Sequence, residues 1–214
     1  MKKRISIQSY AKPEPPRSLL SKTDWLDIAI IGELADDRTL SPSIIPLIQK
    51  ANAIAPKMRI KSALILIGTG LTAGARKFFS TGVERIFVYD HPQFAGKNPA
   101  LEAIALDHYA EEYKPSVLLF ANTSHGRSLA AAAAERLKLA AAPVCPDFQL
   151  QSNKDLMLPD TVSAEVNQAV TSRRPQLLIL DLGESAGIQL ESPGQGELVL
   201  CELPDGIQNY PGMI

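Results

Sequence analysis

The sequence predicts a doubly wound α/β domain, an open and mainly parallel sheet with helices on both faces. Two observations predict it. Strand-like and helix-like segments alternate four times between Trp25 and Leu137, the order that builds parallel sheets. Ser62–Gly68 is also a continuous apolar run closed by glycine, as expected of a strand buried on both faces.

Residues 1–24 read as an N-terminal extension. Pro13, Pro15 and Pro16 interrupt scattered charge, so extended chain or an outlying strand is expected. The α/β domain is placed at residues 25–182. Trp25–Gly32 is its first strand. Ser41 caps the first helix and Pro42 takes its first position. Ile44, Ile45, Ile48 and Ala51 form the apolar face, and Pro56 ends the helix. After the strand Ser62–Gly68 comes a glycine-rich turn, Gly68–Gly74, leading into a helix from Ala75 to Ser80. Its Gly-x-Gly-x-x-x-Gly spacing is not the dinucleotide fingerprint, which favours a plain strand-to-helix joint over a phosphate cradle.

Arg85–Asp90 is the third strand. Pro99–Tyr113 is a helix with Leu101, Ile104, Ala105 and Leu106 inward and Glu111 and Glu112 outward. Ser116–Ala121 and Ser124–Leu137 complete the fourth strand–helix pair. From Val144 to Asp181 the pattern becomes strand-like with short polar breaks. It reads as an antiparallel addition to the sheet, with Ser152–Asp155 as a turn and Ser163–Thr171 as one alternating strand. Residues 183–214, rich in glycine and proline with one short strand near Leu198–Cys201, read as a tail or a partner-clasping arm.

Composition narrows function. The 214 residues carry a net charge of −1, which favours neither nucleic acid nor an anionic membrane. No apolar run is long enough to span a bilayer, and no apolar core follows Met1-Lys2-Lys3-Arg4 to make a secretory signal. A cytoplasmic location is expected. Cys145 and Cys201 stand far apart, as two structural thiols rather than a redox or metal motif. His91, His108 and His125 fall in no metal-ligand spacing. Asn122–Gly126 lacks the first glycine of a nucleophile elbow. No catalytic residue and no metal site is expected, and the chain is not read as an enzyme.

The segment richest in chemistry is Val117–Ala130, a strand, a Thr-Ser-His-Gly-Arg turn and an Ala-rich helix. A helix N-terminus attracts anions, because its first N–H groups lack partners and its dipole is positive there. Thr123 or Ser124 can cap, Gly126 permits tight backbone and Arg127 adds a fork of donors. A capped joint with a solvated arginine is the alternative. Asp90 and His91 stand at the carboxyl end of the neighbouring strand, where open sheets bind ligands. Asp90 suits either a ligand hydroxyl or a turn cap.

The wording of these segments resembles the N-terminal domain of the electron transfer flavoprotein alpha subunit. Phe120-Ala121-Asn122-Thr123-Ser124-His125-Gly126-Arg127-Ser128-Leu129-Ala130 is similar to that family's Phe-Gly/Ala-x-Thr-Ser-x-Gly-Arg-Asp-Leu-Ala run, with Ser128 in place of its Asp. Ile30–Glu33 resembles its opening strand, Gly82–His91 its Gly-Ala-Asp-Lys-Val-Tyr-Val-Val-Asp-His segment, and Lys114–Phe120 its Lys-Pro-Asp-Leu-Val-Leu-Phe strand. The likeness covers about residues 26–180. Leu178–Gly183 replaces the family's Thr-Val-Arg-Pro close, and Glu165, Asn167 and Gln168 stand where it has a glycine-rich bend.

The resemblance implies FAD-mediated electron transfer from a dehydrogenase, in company with a beta-type subunit or a second copy. It implies cofactor or partner contacts at Thr123, Ser124, Gly126, Arg127, Asp90 and His91. The family's second domain holds most of the FAD contacts and its motifs are absent here, so autonomous FAD binding is not expected. The rival reading is an adenine-nucleotide module without flavin, taking AMP or ATP at the same loops.

Overall fold

A computed structural model describes residues 26–140, 143–151, 156–185, 194–203 and 207. The expected N-terminal extension and the Ser152–Asp155 turn lie outside them, as does much of the expected tail.

Seven parallel strands form one sheet. In chain order they are β1 (Asp27–Gly32), β2 (Lys61–Gly68), β3 (Arg85–Asp90), β4 (Val117–Ala121), β5 (Val144–Cys145), β8 (Gln176–Leu180) and β9 (Glu197–Leu200). In space the order is β5-β8-β4-β1-β2-β3-β9. The central strands are buried because helices cover both faces, and Ile28, Ala29, Ile30, Leu64, Ile65 and Leu119 are wholly inaccessible. Strand β1 lies between β2 and β4, pairing Ile30 with Leu64 on one side and with Leu119 on the other. The chain winds outward from β1 to β3, then returns to β4 on β1's opposite flank. The connections therefore diverge between β1 and β4, where a crevice opens at the carboxyl ends.

The helices follow the expected order with shifted limits. Helix α1 is Ile45–Met58. Ser41 does not cap it: residues 42–44 make a separate turn, closed by the Ile44 amide donating to the Ser41 carbonyl at 2.9 Å. Pro46, not Pro42, occupies the first helical turn. Pro56 does not stop the helix but sits inside its last turn. The buried side chains of Ile48, Ala51, Ala55 and Met58 hold that turn on the sheet despite the lost amide. The chain breaks at Arg59, which turns left-handed at φ 59°. Residues Ala75–Thr81 form a 3₁₀ helix. Helices α2 (Pro99–Tyr113) and α3 (Ser124–Leu137) match the sequence reading, and pack against each other.

The region after α3 departs most. The antiparallel pair exists, as β6 (Gln149–Leu150) and β7 (Leu156–Met157), but stands as its own small sheet. Ser163–Thr171 is not a strand. Ala164–Thr171 is helix α4, capped by the Ser163 hydroxyl accepting from the Val166 amide. Strand β8 joins β4 in parallel, not antiparallel. The described part of the expected arm docks on its own sheet, as β9 beside β3.

Candidate functional site

Glu33 follows β1 directly, and Thr123 follows β4 by two residues. Because these strands are neighbours, the two residues meet across the crevice. The Thr123 hydroxyl donates to Glu33 Oε1 at 2.7 Å and Oε2 at 3.0 Å. The same hydroxyl accepts from the Gly126 amide at 2.8 Å, which caps α3. The carboxylate of Glu33 therefore sits at the helix's positive end, where an anion is stabilised. The chain itself supplies that anion.

Gly126 is required by space. A Cβ there would lie 2.2 Å from the Ala121 carbonyl oxygen and 2.9 Å from Glu33 Oε1. The helix thus starts hard against the end of β4.

In the same first turn of α3, His125 Nε2 lies 2.9 Å from Glu102 Oε2. The Glu102 side chain is only 5 % exposed. A buried carboxylate needs a hydrogen-bonded partner, and the imidazole provides it. The hydrogen bond to Glu102 holds His125 above its ordinary pKa, against partial burial, and the charges of Glu102 and Glu33 add to the effect.

Glu33, Glu102 and His125 line a cleft of about 170 Å³. Leu34, Ile67, Leu71 and Phe94 give it apolar walls, and Arg38 and Lys97 stand on its rim. Both cations act as straps between loops. Arg38 donates to the Gly70 carbonyl, joining the loops after β1 and β2. Lys97 donates to the Leu34 carbonyl at 3.4 Å, joining the loops after β3 and β1. Lys77 donates to the Arg38 carbonyl at 2.7 Å. The cleft's mouth is thus tied before any ligand arrives.

The sequence-predicted residues do not converge on one spot. Strands β4 and β3 are separated by β1 and β2, so Thr123 and Asp90 stand about 14 Å apart at ordinary strand spacing. Asp90 caps the glycine-rich turn: its carboxylate accepts from the amides of Gly70, Leu71 and Thr72 and from the Thr72 hydroxyl at 2.6–2.9 Å. Burial opposes its ionisation, yet these donors hold its pKa below the usual carboxylate range. Between its two possible roles, the turn cap is the one its hydrogen bonds fill. His91 caps the 3₁₀ helix Pro92–Gly96 through Nδ1.

Ser124 and Arg127 are exposed. The Arg127 guanidinium turns back to Asn122 Oδ1 at 2.8 Å, and Asn122 Nδ2 donates to Asp181 at 3.0 Å. The fork of donors therefore serves the loop and does not join the amides of α3. Sequence reasoning passed over Glu33, Glu102, Arg38 and Lys97 as site residues. Glu33 had a usable signal, a carboxylate directly after a buried strand. Glu102 had none, since its meeting with His125 depends on the packing of α2 against α3.

Among the described residues, no group of three or more His, Cys, Asp or Glu side chains could hold a metal. No described helix is long and apolar enough to cross a membrane.

The family model of the electron transfer flavoprotein domain matches residues 28–205. The lactate dehydrogenase (NAD(+),ferredoxin) subunit LctC of Acetobacterium woodii is 32 % identical over 120 residues, 55 % of this chain and 28 % of that protein. The electron transfer flavoprotein subunit alpha of Thermoanaerobacterium thermosaccharolyticum is 28 % identical over 130 residues, 61 % of this chain and 39 % of that protein. The corresponding subunit of Syntrophomonas wolfei is 31 % identical over 100 residues, 47 % of this chain and 32 % of that protein. The matched regions span between 28 % and 39 % of these relatives.

Proposed function

The chain belongs to the electron transfer flavoprotein domain family, and from that premise we propose that it is an alpha-type module of an electron-transferring flavoprotein. In this reading it joins a beta-type subunit and performs no bond-making chemistry of its own. It helps to position FAD between a dehydrogenase and an acceptor. The observation that carries the reading is the family match over residues 28–205, from within β1 to beyond β9, together with the alpha-subunit relatives.

The residues of this domain do not fit FAD in the cleft. Ligand pockets ordinarily measure about 300–1,000 Å³, and the cleft measures about 170 Å³. A diphosphate at the start of α3 would also meet the Glu33 carboxylate. In this reading the flavin is held mainly by another domain or subunit, and this domain contributes a surface to the assembly. Ser124, Arg127 and His91, at the carboxyl end of the sheet beside the half-buried Thr123–Gly126 cap and the Asp90 turn, are proposed as that surface.

Co-expression with a beta-type subunit tests the proposal. The expected result is co-purification, with a flavin absorption spectrum in the complex and none in the lone chain titrated with FAD. Arg127→Ala is expected to weaken association roughly tenfold, the size of losing one interfacial charge-assisted contact. Failure to associate would remove the alpha-type reading. Unchanged affinity in the variant would remove the loop after β4 from the surface.

A further inference from the structure

We propose that the end of the sheet opposite the crevice, where the amino ends of β8, β4, β1 and β2 lie side by side, is a docking surface for an acidic protein. The proposal stands on the placement of charge and does not rest on the flavoprotein reading.

Topology gathers the charge. Between parallel strands each helix runs back to the amino end of the next strand, so the helix C-termini collect at one end of the sheet. Helix α1 carries Lys57 in its last turn, with Arg59 and Lys61 after it. Lys138 follows α3 and Arg173 follows α4. All of these side chains are exposed, and none pairs with an acid among the described residues. Cations elsewhere do: Lys50 pairs with Asp147, Arg136 with Asp107, and Arg85 with Asp27 and Glu197. Arg173 donates to the Lys138 carbonyl at 3.0 Å, which makes those two one group. The other group, around Arg59, lies at β2. In the order β8-β4-β1-β2 the groups stand about 14 Å apart at ordinary strand spacing. The chain enters β1 between them, and residues 1–25 bring six cations against two acids to that point.

Two of the cations occupy backbone positions that favour glycine. Arg59 has φ 59° and Lys138 φ 55°. Glycine is the usual residue at such a helix end, because a side chain there meets its own backbone. The negative end of the helix offsets part of that cost for a cation. The charge is thus held at both helix ends where an uncharged residue would fit the backbone better.

The pattern fits a protein rather than a nucleic acid or a membrane. Glu84 precedes β3, and Glu111 and Glu112 close α2, so acids interrupt the cations. Nucleic-acid strands are bound by a continuous basic groove with stacking aromatic rings. Among the described residues, the exposed large apolar side chain is Val144, which pairs with Ile179 toward the carboxyl half of β8. The amino end therefore offers no apolar anchor for lipid or bases. Separate basic groups edged by acids match a protein surface of mainly acidic, mixed charge, which they would steer and orient.

Fluorescence anisotropy of labelled poly-L-glutamate titrated with the full chain tests this, with duplex DNA and phosphatidylserine vesicles as rival probes. Saturable binding is expected at about 0.01 M salt. It should weaken roughly tenfold or more at about 0.1 M, as the screening length falls from ~30 to ~10 Å. Arg59→Gly and Lys138→Gly remove charge, suit the left-handed backbone and keep the carbonyl that holds Arg173. Each is expected to weaken binding roughly two- to fivefold, the size of one exposed ion pair, with the thermal midpoint no lower. Lys61→Gln, which touches neither left-handed position, should weaken binding by a similar factor. Arg76→Ala, at the opposite end of the sheet, should change affinity less than about twofold. No binding at low salt would overturn the proposal. So would equal losses in Arg76→Ala and the amino-end variants, or no loss in any of them. Tighter binding to DNA or to the vesicles than to poly-L-glutamate would overturn the assignment to a protein.

Discussion

At the scale of single residues, the turn Thr123–Gly126 carries the most constraint. Thr123 spends its one hydroxyl twice, donating to Glu33 and accepting from Gly126. Gly126 is held by contact, since a methyl group there would fall 2.2 Å from a backbone oxygen. Neither Ala121 nor the first turn of α3 can yield without moving a buried strand end or breaking the cap. Gly126→Ala should therefore lower stability by about 1–3 kcal/mol, the ordinary range for overpacking a tight site. Chemical denaturation gives the value, and a change below ~0.5 kcal/mol would mean that the helix end shifts freely. The sequence showed the turn, its capping residues and the need for glycine, because those properties are local. It did not show that the helix end's anion is internal. Glu33 lies 90 positions before Thr123 in the chain, and only the pairing of β1 with β4 brings them together. Asp90 was legible in part: its place at a strand end was clear, but its commitment to the Gly70–Thr72 turn depends on β2 lying beside β3.

At the scale of elements, the four β/α repeats were legible because their strands are buried on both faces and their helices are long. Helix α4 was not. Over nine residues, Ser163–Thr171 alternates apolar and polar side chains often enough to imitate a strand. The deciding signal was present in Ser163, which caps the helix by accepting from Val166, and in Glu165 in the first turn, where the dipole favours an acid. Val166 and Val170 then share one face at helical spacing, and Val170 is buried. A helix this short depends on its cap, since nucleation is costly. Ser163→Ala should cost about 1 kcal/mol, read as a lower denaturation midpoint with the rest of the sheet intact. Hydrogen exchange should quicken across residues 164–171 and stay unchanged in α3. Equal exchange in both variants of α4 would show that packing on β7 and β8, rather than the cap, fixes this helix.

At the scale of the whole molecule, the sheet is fastened at both ends by different chemistry. Loops cross-strap the carboxyl end, whereas a partly buried ion network clamps the amino end. Arg85 on β3 donates to Asp27 on β1 at 3.1 Å and to Glu197 on β9 at 3.0 Å, and Tyr109 on α2 donates to Asp27 at 3.4 Å. This network joins the first strand of the domain to its last, across β2. Asp27 is wholly buried, and that burial outweighs the attraction of Arg85, pushing its pKa up from 3.8 to about 6. The folded protein therefore holds a proton that the unfolded chain has released between about pH 4 and 6. Stability from this group is fully present below that window and falls as pH rises through it, by about 3 kcal/mol in all at 1.36 kcal/mol per pKa unit. His125, also raised by its partner Glu102, works in the same direction at higher pH. Asp90 works oppositely: its depressed pKa contributes stability above the unfolded carboxylate pKa that is lost as pH falls through the folded one. Asp27→Asn keeps an acceptor for Arg85 and removes the titration. Urea denaturation from pH 4 to 7 should show unfolding free energy declining with pH in the unaltered chain and a markedly flatter profile between pH 4 and 6 in Asp27→Asn. Parallel profiles would mean that Arg85 keeps Asp27 ionised throughout, and that the clamp is an ordinary ion pair with no proton uptake.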